Sequence, residues 1–181
     1  MKTPKFYAAH GSEQIVNAQA EFVERLAKRL RALEYTVRTG KSFTGFDKTV
    51  SIAAGAKLRE NYDLGKYQVS EMDRELHPYE KKLLAFYGNF SNTIFKEAPH
   101  QQVKAAARVA LLMGCEMNKK AEFLIVHTDD GSVVPKKIVQ TTSCVEKLIA
   151  VAHELKIITI NTGSKESRDL IHKQFLNSNI R

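Results

Sequence analysis

Apolar and polar residues follow two distinct periods along the chain. Phe6-Tyr7-Ala8-Ala9 is an unbroken apolar run after Lys5, the pattern of a short strand covered on both faces in a parallel sheet. His10-Gly11-Ser12 then breaks it. From Asn17 to Ala32 the apolar residues Ala18, Phe22, Leu26 and Leu30, with Leu33 beyond, recur at three- and four-residue spacing. Glu21, Glu24, Arg25, Lys28 and Arg31 fill the other positions, which predicts an amphipathic helix of about four turns. Tyr35-Thr36-Val37-Arg38-Thr39 is rich in β-branched and aromatic residues and predicts a second strand, ended by Gly40 and a polar loop to Asp47. Strand, helix and strand in this order form a βαβ unit, which makes the strands parallel and the connection right-handed. Asp47 is a suitable N-cap for a small-residue helix over Lys48 to Arg59, with Val50, Ala53, Ala54 and Leu58 on its packing face.

The middle of the chain has no clean period. Lys66 to Ser70 reads as a third strand, His77-Pro78 opens a short helix, and Tyr79 to Phe95 is aromatic without order. The pattern returns with a helix from Gln101 to Met113 that stops at Gly114. Glu122 to Thr128 is a buried strand ended by Asp129-Asp130-Gly131. A helix from Cys144 to Leu155, a last strand from Ile157 to Asn161, and a terminal helix capped by Ser164 and reaching about Phe175 complete a second alternating half. The expected fold class is therefore α/β, a Rossmann-like three-layer sandwich with a mostly parallel sheet.

Composition narrows the class without naming a function. The 181 residues are 43% hydrophobic and 27% charged, as in one soluble domain. No apolar run approaches the roughly 20 residues of a membrane-spanning helix, and the first residues lead into a strand and not a secretory signal. No membrane partner and a cytoplasmic location are the expectation. Cys115 and Cys144 lie far apart with no C-x-x-C partner, so neither a zinc site nor a disulfide framework is expected. The net charge of +8 favours anionic partners, from phosphate ligands to nucleic acid, but its basic pairs, such as Lys81-Lys82, Lys119-Lys120 and Lys136-Lys137, are dispersed as on an ordinary solvated surface.

In a parallel sheet the loops after the strands gather on one edge, where helix N-termini expose unpaired amides. Three loops would meet there: His10-Gly11-Ser12, Thr39 to Asp47, and Thr128 to Ser143. Each places glycines or hydroxyls beside a helix start, as a phosphate cradle requires. Each also has a plainer explanation. Gly-Ser is a common turn, Asp47 can simply cap its helix, and Ser143 with Glu146 fits the S-x-x-E capping box. His10 and His127, at strand ends, can contact a phosphate or a base, or serve as hydrogen-bonded structural histidines. No H-x-x-H or H-E-x-x-H spacing points to a metal, and no cofactor is expected.

Taken in order, Phe6 to Ser12, Tyr35 to Gly40 with Gly45 and Asp47, Phe123 to Gly131, and Ile157 to Asn161 resemble the SLOG superfamily. More narrowly they resemble the small DNA recombination-mediator (DprA)-like Rossmann proteins of the type found in phages. In that family the first loop reads G-x-G-S and the second S-G-G-A-x-G-A-D, and a G-G-T-G turn leads into the helix after the third strand. Gly11 and Ser12 keep the end of the first motif; Gly40, Gly45 and Asp47 keep the frame of the second, with an inserted residue. Thr141-Thr142-Ser143-Cys144 stands in place of the third.

The resemblance implies a nucleotide or nucleotide-derived ligand held by its phosphate among His10, Gly11, Ser12, Thr39, Gly40, Lys41, Ser42, Gly45, Asp47, Thr128, Thr141, Thr142 and Ser143. Gly11, Gly40 and Gly45 would allow close approach, Ser12, Ser42, Thr142 and Ser143 would donate hydrogen bonds, and Lys41 would supply charge. It also implies a homodimer. A single-stranded DNA-binding recombination mediator is the rival reading. The third is a nucleotide N-glycosidase, for which Glu146 falls near the place of the family's catalytic glutamate, although the P-G-G-x-G-T-x-x-E signature of those enzymes is absent.

Overall fold

In the computed structural model the first strand, β1, runs Lys5–Gly11, two residues beyond the apolar run, so that His10 and Gly11 end the strand and do not interrupt it. The structure describes residues 3–40, 44–62, 81, 84–85, 108–114, 116–135 and 143–176. Helix α1 spans Asn17–Ala32 and buries Phe22, Val23, Leu26, Ala27 and Leu30, the stripe set by its period. β2 is Tyr35–Gly40 and α2 is Gly45–Ala54. β3 is Arg59–Tyr62, β4 is Phe123–His127, α3 is Cys144–Glu154, β5 is Ile158–Asn161 and α4 is Lys165–Ile171, continued by a π-helical turn over His172–Leu176.

The five strands form one sheet in the order β3-β2-β1-β4-β5, and every pairing is parallel. Alternation along the strands supplies two cores. Tyr7, Ala9, Val37, Phe123, Ile125 and Ile160 face α1, α2 and Ile171 of α4. Ala8, Leu124 and Val126 face α3 and the helical residues 108–113, with Val109, Leu111 and Leu112 packed among them. Helices thus cover both faces of a parallel sheet, which is the three-layer Rossmann-like architecture. Among the described residues no helix is long and apolar enough to cross a membrane.

Two expectations fail between Gly40 and Tyr62. Asp47 is not the N-cap: the helix begins two residues earlier, at Gly45, behind Thr44, and Asp47 lies in its first turn with its carboxylate turned to β1. The helix also stops at Ala54 instead of running to Arg59, because Gly55 adopts φ +76°, a left-handed conformation that ends helices readily in glycine. A short 3-10 turn, Ala56–Leu58, then leads directly into β3. The strand expected at Lys66 to Ser70, the helix start at His77-Pro78 and most of the aromatic segment lie outside the described residues. So do residues 101–107 of the helix expected over Gln101 to Met113, and Cys115. Elsewhere the caps are as read: Ser143 and Glu146 form the reciprocal capping box of α3, and Ser164 Oγ accepts from the Ser167 amide at the start of α4.

Candidate functional site

The strand order reverses between β1 and β4, so the carboxyl ends of these two neighbours lead to opposite halves of the sheet. In open α/β sheets this is where a crevice forms. Register pairs His10 with Val126 and Gly11 with His127, which places the loops beginning at Ser12 and at Thr128 side by side.

On the β1 side the structure brings together His10, Gly11, Ser12, Gly45 and Asp47. The Gly11 amide donates to Asp47 Oδ1 at 3.0 Å, and His10 Nδ1 donates to Asp47 Oδ2 at 2.9 Å. The Phe46 amide donates to the Ser12 carbonyl at 3.0 Å, while Ser12 Oγ accepts from the Gln14 amide at 3.1 Å. Both glycines here serve contact between chain segments. A Cβ at Gly11 would lie 2.6 Å from Phe46 Cγ, and one at Gly45, where φ is +67°, would lie 2.4 Å from the Glu13 carbonyl oxygen. The positive end of α2 is thus already met by a carbonyl and a carboxylate of the protein.

The start of α1 differs. No side chain caps it and its first turn carries no acid. Gln19 Oε1 turns back to the Val16 amide at 3.2 Å, and the Gln19 and Ala20 amides bond to the Val16 carbonyl. The amides of Asn17 and Ala18, in the first turn, therefore make no hydrogen bond among the described residues.

On the β4 side a buried asparagine fastens the loop to β5. Asn161 Oδ1 accepts from the amides of Thr128, at 3.1 Å, and Gly163, at 3.0 Å; its Nδ2 donates to Thr128 Oγ1 at 2.6 Å and the Ser132 carbonyl at 2.7 Å. All four hydrogen-bonding positions of the amide are filled. Gly163 makes this approach possible, since a Cβ there would lie 2.0 Å from the Thr128 carbonyl oxygen. His127, beside it, is 3% exposed. Thr162 Oγ1 donates to the Val126 carbonyl at 3.1 Å, so it accepts from His127 Nδ1 at 2.9 Å, and the ring is the tautomer protonated on Nδ1.

Burial holds His127 below the ordinary histidine range, Asp129 acts in the opposite direction, and Arg168 adds to the lowering. Unfolding exposes the ring to protonation that the folded state resists. Its stability contribution is full above the ordinary pKa of 6.5 and is lost as pH falls from there toward the folded value. Between about pH 7.5 and 5.5, His127→Gln should therefore lose less stability than the parent, by up to about 1.4 kcal/mol over the whole interval. Urea midpoints at the two pH values check this, and equal losses in the two proteins would disprove it.

The remaining sequence-derived candidates divide. Thr39 is fully buried at the end of β2, and its hydroxyl has no hydrogen-bond partner. Gly40 is buried beside Tyr62. Thr128 directly follows β4, with its hydroxyl donating to Asp130 Oδ1 at 2.7 Å. Ser143 and Glu146 cap α3: the Ser143 amide donates to Glu146 Oε2 at 2.9 Å, and Ser143 Oγ accepts from the Glu146 amide at 3.2 Å. Lys41, Ser42, Thr141 and Thr142 lie outside the described residues. Among those residues no cluster of three His, Cys, Asp or Glu could hold a metal ion, and Cys144 is a free, half-buried thiol. Sequence reading missed Asn161 and Thr162; their signal was the polar Asn-Thr-Gly-Ser run closing the last strand.

No protein-family model, no curated protein and no solved structure matches the chain.

Proposed function

We propose that the chain holds a nucleotide-type ligand by its phosphate at the carboxyl edge of the sheet, in the crevice between the ends of β1 and β4. The observation that carries this reading is the reversal of strand order there, the position at which sheets of this kind take their ligands. The local chemistry agrees: Ser12 is exposed, the first amides of α1 are unbonded among the described residues, and His10 and Thr128 lie at the ends of neighbouring strands. The net charge of +8 favours an anionic guest, and the order of motifs resembling the SLOG and DprA-like proteins favours a nucleotide. Gly11 and Gly45 support the loop from behind; the donors are Ser12 and the α1 amides, with His10 beside them. Of the carboxylates that a glycosidase reading would need, Glu146 caps α3 and Asp47 is bonded to Gly11 and His10.

Thermal unfolding of the intact chain with adenosine and guanosine phosphates, cyclic dinucleotides and ADP-ribose tests this reading. A ligand at about 100 times its Kd adds about 2.7 kcal/mol, which in a chain of this size raises Tm by about 5–10 °C. Ser12→Ala should reduce the shift. Stabilisation by none of these compounds, with tight and steeply salt-dependent binding of a single-stranded oligonucleotide, would replace this reading with the recombination-mediator one.

A further inference from the structure

His10 is the titratable side chain that β1 delivers to the crevice, and its surroundings fix what it can do. Asp47, 6% exposed at its side chain, bridges two groups, accepting from the Gly11 amide and from His10 Nδ1. A carboxylate on Nδ1 sets the ring as the tautomer protonated there and leaves Nε2 as a bare lone pair. Nε2 makes no hydrogen bond among the described residues, and the ring keeps 13% of its side-chain surface exposed. A neutral imidazole in this state offers a phosphate only an acceptor, and Asp47 beside it adds a negative charge. An anion is held there once Nε2 carries a proton and becomes a donor.

We infer that capture of the ligand's phosphate is coupled to uptake of one proton on His10 Nε2, with Asp47 as the positioning residue that orients the ring. This rests on the phosphate reading above and adds its regulation: binding takes up a proton and so strengthens as pH falls. The proton comes from solvent, a charge-assisted Nε2–H···O bond forms, and no covalent bond breaks. The charged surroundings among the described residues come from three elements, and the neighbouring loop after β4 carries the exposed Asp129 and Asp130. Asp47 of α2 is in contact, Glu13 in the next loop and Lys48 beside Asp47 are exposed, and β2 ends in the uncharged Thr39 and Gly40. β4 contributes His127 one register step away, buried and bonded to Thr162.

The test is calorimetric titration of the intact chain with adenosine 5′-monophosphate and with ADP-ribose, in two buffers of different ionisation heat. The expected result is net proton uptake on binding, of at most one proton per ligand, with affinity that falls as pH rises. His10→Gln should bind with an affinity that varies less with pH. Should that variant fail to fold, the ring-proton resonances of His10 in the parent chain report the same event, and the midpoint must move to higher pH on adding ligand. Binding with no proton uptake, or uptake that persists in His10→Gln, overturns the inference and leaves the phosphate reading standing. No binding of either compound overturns both.

Discussion

Glu60→Ala is expected to destabilise the protein by about 3 kcal/mol, far more than the 0–1 kcal/mol typical of an exposed ion pair. The reason lies in its partner. The Arg38 side chain is 1% exposed and that of Glu60 is 40% exposed, joined by a 2.8 Å bond from Arg38 Nε to Glu60 Oε2. Arg38 also donates through Nη1 to the Lys119 carbonyl, and its guanidinium lies 4.0 Å from the centre of the Phe6 ring. Gly114 makes room for it, since a Cβ there would lie 3.0 Å from Nη2. Removing Glu60 leaves a guanidinium buried in the core with one carbonyl and an aromatic face in place of a counter-charge. Arg38→Met removes the charge together with the need to neutralise it, so the double variant Arg38→Met with Glu60→Ala should recover most of the loss. Urea unfolding with an unchanged m-value measures it, and the Tm of Glu60→Ala should fall by about 6–12 °C. A loss below about 1 kcal/mol, or a double variant no better than the single, would mean that water reaches the guanidinium.

Arg38 also marks where sequence reading stops. In Tyr35-Thr36-Val37-Arg38-Thr39 an arginine at the centre of a strand reads as the solvent-facing member of an alternation, yet both faces of this sheet are covered and the side chain points into a core. The βαβ unit was legible because Phe6 to Ala9 and the α1 stripe each carry one unambiguous period. The capping box of α3 was legible because it is local, three residues from end to end. β3 was not. Arg59-Glu60-Asn61-Tyr62 holds one apolar residue and follows a helix whose stop signal, Gly55, was read as interior. The candidate site divides in the same way. Parallel topology dictates that the loops after β1 and β4 are neighbours. No spacing rule announces that Asp47 will reach His10, 37 positions away, or that Asn161 will fasten Thr128, 33 positions away. For Asp47 the local capping rule gave a competing answer, and the long-range bond prevailed because α2 begins three residues earlier than that rule requires.

Gly45→Ala should lower stability by at least about 2 kcal/mol in the absence of any ligand. A left-handed φ of +67° costs a residue with a Cβ about 1–2 kcal/mol. The new methyl would also lie 2.4 Å from the Glu13 carbonyl oxygen and 2.5 Å from that of Ser12, backbone atoms that cannot swing aside. Relief requires the loop after β1 to part from α2, which stretches the bond from the Phe46 amide to the Ser12 carbonyl and the bridge from Asp47 to Gly11 and His10. Gly45→Ala should therefore also erase the pH dependence attributed to His10, through a residue that need not touch the ligand. A glycine retained only so that a phosphate can approach predicts the reverse: unchanged unfolding of the free protein and loss of ligand affinity alone. Urea midpoints of the free protein decide between the two, and an unshifted midpoint would assign Gly45 to the ligand instead of to the joint between α2 and β1.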